Sequence, residues 1–200
     1  MMKSTVFGLL TIFILSAGCA SSGSDEETAA ELTEEQKEAY LQQGKAIATA
    51  TFAELSGQLQ VAMKEGGVPH AVRYCNTVAY PLVDSLSEVH NADIRRTSLL
   101  IRNPKDAPTT REREQLEAYA SAKKAGDPLQ PVVKAVSAEE IAFYAPISMQ
   151  PLCLKCHGQL GETLAEEDYA VIKEKYPSDE AIGYQAGDLR GMWSITFARD

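Results

Sequence analysis

The sequence predicts an α+β domain, and three observations lead there. The first half carries apolar residues at helical spacing over long stretches. The second half sets short β-like runs beside charged helical ones. No internal repeat interrupts that order. The chain has 200 residues, 44% of them hydrophobic, enough for one domain with a core of ordinary size. Its net charge of −9 argues against a nucleic-acid partner, which needs a basic face.

Residues 1–18 read as a signal peptide. Lys3 precedes the apolar run Val6–Leu15, and Ser16-Ala17-Gly18 leads into Cys19. The run is too short to span a bilayer comfortably. Small residues directly before a cysteine resemble a bacterial lipobox, with Leu15 one place upstream of the usual leucine and Ser16 in its position. The expectation is that Cys19 is lipidated, with the lipid as the only membrane attachment of a periplasmic protein. Residues 19–32 are small, polar and acidic, and read as a flexible tether. Residues 33–200 form the single domain. Outside the cytoplasm unprotected thiols tend to oxidise, so the other three cysteines, Cys75, Cys153 and Cys156, each call for a reason.

Within the domain the elements follow in order. Thr33-Glu34-Glu35-Gln36 is a capping box. Tyr40, Ile47, Thr51, Leu55, Leu59 and Ala62 then recur at helical spacing, which predicts a helix from Thr33 to about Glu65, ended by Gly66-Gly67. Pro69 suits the first turn of a second helix. Val68, Val72, Cys75, Ala79, Leu82 and Leu86 form its apolar stripe, with Cys75 in the middle. Pro81 lacks an N–H and its ring crowds the Thr77 carbonyl, which predicts a kink just after the cysteine.

Ala92–Arg102 has β character, with Arg96, Ser98 and Arg102 alternating on one face, and it ends at Asn103-Pro104. Thr109 and Glu112 cap a third helix that runs to about Ala125. Its stretch Arg111–Lys124 reads as a solvated face. Gly126-Asp127-Pro128 stops it. Val132–Val136 and Ile141–Ile147 read as strands, and Glu166–Lys175 as a helix. Gly191–Phe197 alternates, so it should be a half-buried strand with Trp193, Ile195 and Phe197 inward and Met192 toward the surface.

Chemistry concentrates at Cys153-Leu154-Lys155-Cys156-His157. C-x-x-C-H is the signature of covalent c-type haem attachment. Two thiols three residues apart can each add to one vinyl group of a porphyrin, and the next residue then lies under the iron. Export agrees, because such haem is attached outside the cytoplasm. Two rivals use the same residues. A thioredoxin-like pair would open a helix after a strand, whereas Gly158 and Gly161 follow here. A zinc site would need Cys156 and its neighbour His157 on one tetrahedral ion, which adjacent residues rarely achieve. A rival fold, a four-helix bundle of the cytochrome c′ kind, would carry the motif on a helix continuing past the histidine. The two glycines and the last strand oppose it.

If His157 fills one axial position, the candidates for the other are Cys75, His70, His90, Met63, Met149 and Met192. Methionine is the common partner in electron carriers. Met149 lies only four residues before Cys153, which hampers reaching the opposite haem face. His70 and Cys75 are separated by about 140° around their helix. Cys75 is open to two readings: a small hydrophobe in the core, as free cysteine often is, or an inward-facing thiol at the iron. Arg96 is a candidate partner of the haem propionates or else part of a solvated strand face, and Tyr144 packs either on the haem ring or in the core. Arg190 is undecided.

Four stretches carry a family resemblance: Cys75-Asn76, Arg95–Pro108, Tyr144–Gly158 and Tyr176–Phe197. Together, over roughly residues 35–198, the chain resembles a family of single c-type haem domains with a PAS-like fold. Members of that family stand alone as exported proteins or serve as sensory modules of histidine kinases and chemotaxis receptors. The chain departs from the family pattern at Thr109-Thr110-Arg111, which replaces a more aromatic stretch. The resemblance implies a PAS-like antiparallel sheet behind long N-terminal helices. It implies haem attachment at Cys153 and Cys156, with His157 and Cys75 as axial ligands.

The expected function is an exported monohaem cytochrome acting in redox or gas sensing, with CO or NO as the gas. A thiolate ligand predicts a low potential, because an anion favours Fe(III). The alternative is a low-potential electron carrier. An enzyme ranks last, since a six-coordinate iron is closed to substrate. With no kinase or receptor segment in the sequence, a sensor would act through a separate redox or signalling partner.

Overall fold

Thr33 opens the first helix as the capping box predicts. Its hydroxyl accepts from the Gln36 N–H at 3.2 Å, and the Gln36 side chain accepts from the Thr33 N–H at 3.0 Å. The computed structural model describes residues 31–199 together with Met1. The expected signal peptide and Cys19 lie outside the described residues, as does nearly all of the tether.

Helix α1 (Glu34–His90) is two helical segments in sequence, divided by a kink at Gly66 and Gly67, whose dihedrals are not helical. Gly67 has φ of 65°, in the left-handed region that a glycine enters without a Cβ penalty. The two helices read from the sequence are therefore the two halves of α1. The kink expected at Pro81 is absent from the backbone dihedrals, which stay helical there. One hydrogen bond is lost, but Val83 and Leu86 in the next turn pack against the sheet, and that packing holds the helix in line.

The sheet follows. Strand β1 (Asp93–Thr97) is shorter than the β-like stretch predicts. Past it, the Ser98 hydroxyl donates to Leu100 O and Arg190 O and turns the chain away. Helix α2 (Thr110–Ala125) has the predicted capping box from Thr109 and Glu112, and a left-handed cap at Gly126. Then come β2 (Val132–Ala135), β3 (Glu140–Ser148), a one-turn helix α3 (Leu154–His157), α4 (Glu166–Lys175) and β4 (Leu189–Ala198). The four strands are all antiparallel, in the order β1-β4-β3-β2.

Both faces of the sheet are covered. Ile47, Ala48 and Val83 of α1 pack on Phe143, Trp193 and Ile195 on one face. Leu116 and Tyr119 of α2 pack on Ala142, Tyr144 and Met192 on the other. This corrects two expectations. Strand β4 is buried on both faces, and Met192 is fully buried because α2 lies over it. Nor is α2 wholly solvated: Glu112 is buried, 3.4 Å from Arg95 Nε. Beyond the sheet, Leu164 and Ile172 of the α4 region pack on Val68 and Val72 of α1. No described helix is long and apolar enough to cross a membrane.

Candidate functional site

The site begins where β3 ends. Met149 donates its N–H to Asp188 O and accepts at its carbonyl from Gly187 N–H, both at 2.8 Å. Pro151 then starts a short 3₁₀ turn, Pro151–Cys153, which runs directly into α3. Cys153 and Cys156 are thereby about one helical turn apart, where side chains share a face, and His157 ends the turn.

The motif is clamped by Arg102, just past β1, and by the loop that follows α4. Cys156 O accepts from Arg102 Nη2 at 2.6 Å, His157 O from Tyr184 N–H at 3.1 Å, and Gly158 O from Gly183 N–H at 2.9 Å. Three successive carbonyls thus have fixed partners. Gly158 is required by space, since a Cβ there would stand 1.9 Å from Thr163 Oγ1.

His157 Nδ1 lies 2.7 Å from Ala181 O. A carbonyl oxygen can only accept, so Nδ1 carries the proton. Burial, with the Arg102 and Arg190 charges, holds the ring well below the usual histidine range, against the hydrogen bond to Ala181. The imidazole is therefore neutral, and its Nε2 lone pair is free to bind a metal. Tyr184 packs edge-on against it, with ring centres 6.4 Å apart.

Cys153, Cys156 and His157 line a cavity of about 290 Å³, and so does Cys75, from the second half of α1. Ile147, Trp193, Leu55 and Leu59 make much of its apolar wall. Burial raises the Cys75 thiol, while the Arg96 and Arg102 charges oppose that shift. Burial pushes the Cys156 thiol up to about 11.

Three arginines also line the cavity. Arg96 is there because β1 pairs it with Trp193 in register, and its guanidinium carbon stands 6.0 Å from the indole centre. Arg190 donates to Leu100 O at 3.1 Å and lies over the Tyr184 ring. Arg102 lies beyond β1, not on a strand face. It forms a two-toothed ion pair with Asp179, Nε to Oδ1 and Nη2 to Oδ2, each 3.1 Å.

The structure thus brings together Cys75, Cys153, Cys156, His157 and Arg96. It leaves Tyr144 out, which corrects the expectation that this ring packs on the porphyrin. Period-two alternation along β3 turns Phe143 and Ile147 toward α1 and Tyr144 toward α2, where it is buried. Of the other axial candidates, Met63 and Met149 line the cavity, while His70, His90 and Met192 do not. His70 instead sits 3.3 Å from Glu65 across the helix break. Asp179 carries no local signal of this role, because its partner Arg102 lies 77 residues away in the chain.

Among the described residues no group of three or more His, Cys, Asp or Glu stands close enough to hold a bare metal ion. The donor set suits a porphyrin instead. It offers two thiols a turn apart, a free imidazole nitrogen beside them, a further thiol from another element, and walls that are largely apolar, with the arginines and a few polar residues such as Asp106 and Ser98 among them.

The sequence matches the model of the Tll0287-like family over residues 26–198. Among solved structures, the chain is similar to the crystal structure of the cyanobacterial heme-protein Tll0287. Identity is 24% and the TM-score 0.52, with 76% of this chain and 96% of that one covered. That likeness shows a common fold. No curated protein matches.

Proposed function

The chain belongs to the Tll0287-like family, and on that premise we propose that it is an exported monohaem c-type cytochrome, held by His157 and Cys75, that acts in redox or gas sensing. One observation carries the reading. Cys75, Cys153, Cys156 and His157 come from two distant parts of the chain and line one cavity. Further support comes from the structurally similar relative, a cyanobacterial heme-protein. The antiparallel order β1-β4-β3-β2 behind a long helix is in keeping with a PAS-like arrangement.

Haem bound there supplies one-electron iron chemistry and an axial position able to exchange ligands. Cys153 and Cys156 would hold it as thioethers. His157 would give its Nε2 lone pair, with the ring kept in place by Ala181 O. Cys75 would give a thiolate, an anion that lowers the potential. It is also the donor more readily lost, since burial favours its protonated form. A gas such as CO or NO would take the place that Cys75 leaves. Arg96, which forms no ion pair among the described residues and faces the cavity, would meet a propionate. The reading assigns no catalytic turnover, because His157 and Cys75 would both hold the iron and leave a substrate no free place on it. A lipid on Cys19 would keep the domain at the periplasmic membrane surface, and a separate redox or signalling protein would receive its output.

The test is low-temperature EPR with optical spectra on the oxidised full chain and on Cys75→Ala. A low-spin thiolate signature in the parent and its loss in the variant is the expected result. Met63, on the same helix, is the candidate to replace the lost sulfur. A parent spectrum unchanged by the substitution removes Cys75 from the iron, and CO binding without loss of that signature removes the gating role.

A further inference from the structure

We infer that Arg102 and Asp179 are a positioning pair for His157, an inference that rests on the haem reading above. The pair is buried: the Asp179 side chain is 0% exposed and that of Arg102 12%. Its fork geometry is the kind that fixes both partners in one orientation.

What the pair holds is the backbone around the imidazole. Arg102 Nη2 donates one N–H to Cys156 O at 2.6 Å and shares the other between Asp179 Oδ2 at 3.1 Å and Ala181 O at 3.3 Å. Asp179 Oδ1 accepts from the Ala181 N–H at 3.0 Å. Ala181 is the residue whose carbonyl takes the His157 Nδ1 proton. The peptide groups of Ala181 are therefore held from both sides by one ion pair, and so is the carbonyl just before His157. Rotation of the ring would need this network to shift.

The network also sets the ring's electron supply. Ala181 O serves two donors, the guanidinium and the imidazole N–H. An acceptor already drawn on by a cation pulls less on the imidazole proton. His157 then keeps less imidazolate character than it would against a free carbonyl, and is a weaker donor at Nε2. Arg102 is thus committed, through Nε and Nη2, to the support of a ligand.

The experiment compares the haem-loaded full chain with Arg102→Gln, Arg102→Lys and Asp179→Asn. Pyridine haemochrome spectra report attachment, EPR the ligand geometry, and a redox titration the midpoint potential. All three variants should keep covalent haem through Cys153 and Cys156. Each should split a single low-spin EPR signal into two or more. Arg102→Gln should lower the midpoint, through loss of a cation and a stronger Ala181 acceptor, and Asp179→Asn should raise it. Arg102→Lys keeps the charge but not the fork, so its signal should split with little change in midpoint. If Arg102→Gln fails to fold, Arg102→Lys decides the matter. A parent-like single signal in the lysine variant overturns the inference. A parent chain that carries no haem overturns the inference together with the reading beneath it, whereas haem-loaded variants indistinguishable from the parent overturn the inference alone.

Discussion

Gly44→Ala tests how closely the first half of α1 rests on the sheet, and so how the Leu55 and Leu59 wall of the cavity is placed. A Cβ built on Gly44 would stand 2.2 Å from Phe143 Cγ and 2.4 Å from Cδ2. Carbon atoms in contact prefer roughly 3.5–4.0 Å, so helix and ring must part by more than an ångström. Phe143 is 0% exposed and sits in the main core cluster, so it has no room to swing away. Overpacking of this kind costs about 1–3 kcal/mol, and a contact this short belongs at the upper end. Alanine returns about 1 kcal/mol through helix propensity. The net expectation is a loss of about 2 kcal/mol. For a chain of this size that lowers Tm by roughly 4–8 °C. Gly57→Ala is the internal control, because it lies on the same helix with nothing within 4 Å of its Cβ. It should gain up to about 1 kcal/mol. Thermal unfolding followed by circular dichroism measures both, and Phe143→Leu in the Gly44→Ala background should recover part of the loss. If Gly44→Ala proves as stable as Gly57→Ala, the close approach of α1 to the sheet is wrong.

Other expectations follow from single contacts. Thr51 Oγ1 is buried without a hydrogen-bond partner, so Thr51→Val should raise stability by about 1 kcal/mol in urea unfolding; a loss would mean the hydroxyl is bonded. Thr109→Ala removes the hydroxyl that receives the Glu112 N–H at 3.3 Å, and should cost about 1 kcal/mol by the same assay. Replacing both Cys153 and Cys156 by serine should leave haem extractable by acidic acetone, while the parent retains it; haem that stays bound through the extraction would rule out thioether attachment. Cys19→Ser should abolish metabolic labelling with a radioactive fatty acid, and labelling that persists would place the lipid elsewhere.

Much of the fold was legible because its signals are local. The two capping boxes, the Gly66-Gly67 break and the β-strand character of β4 each lie within a few residues, and the backbone obeys them. The errors have a common origin in what covers an element from afar. Pro81 predicts a kink from its own chemistry, but Val83 and Leu86 against the sheet keep the helix in line. Met192 and Tyr144 look free or inward on their strands, but α2 lies over that face. Arg102 reads as one of three alternating strand residues, but the strand has ended before it.

The sequence by itself determined the one-turn spacing of Cys153, Cys156 and His157 and the apolar stripe around Cys75, because covalent neighbours and helical period decide such things without help from the rest of the chain. Only the tertiary structure decided that Cys75 shares a cavity with that motif, that Ala181 holds the His157 proton, and that Arg102 reaches Asp179. Those contacts join segments far apart in the chain. Their pairing depends on how the sheet and helices pack, which no short stretch of residues encodes.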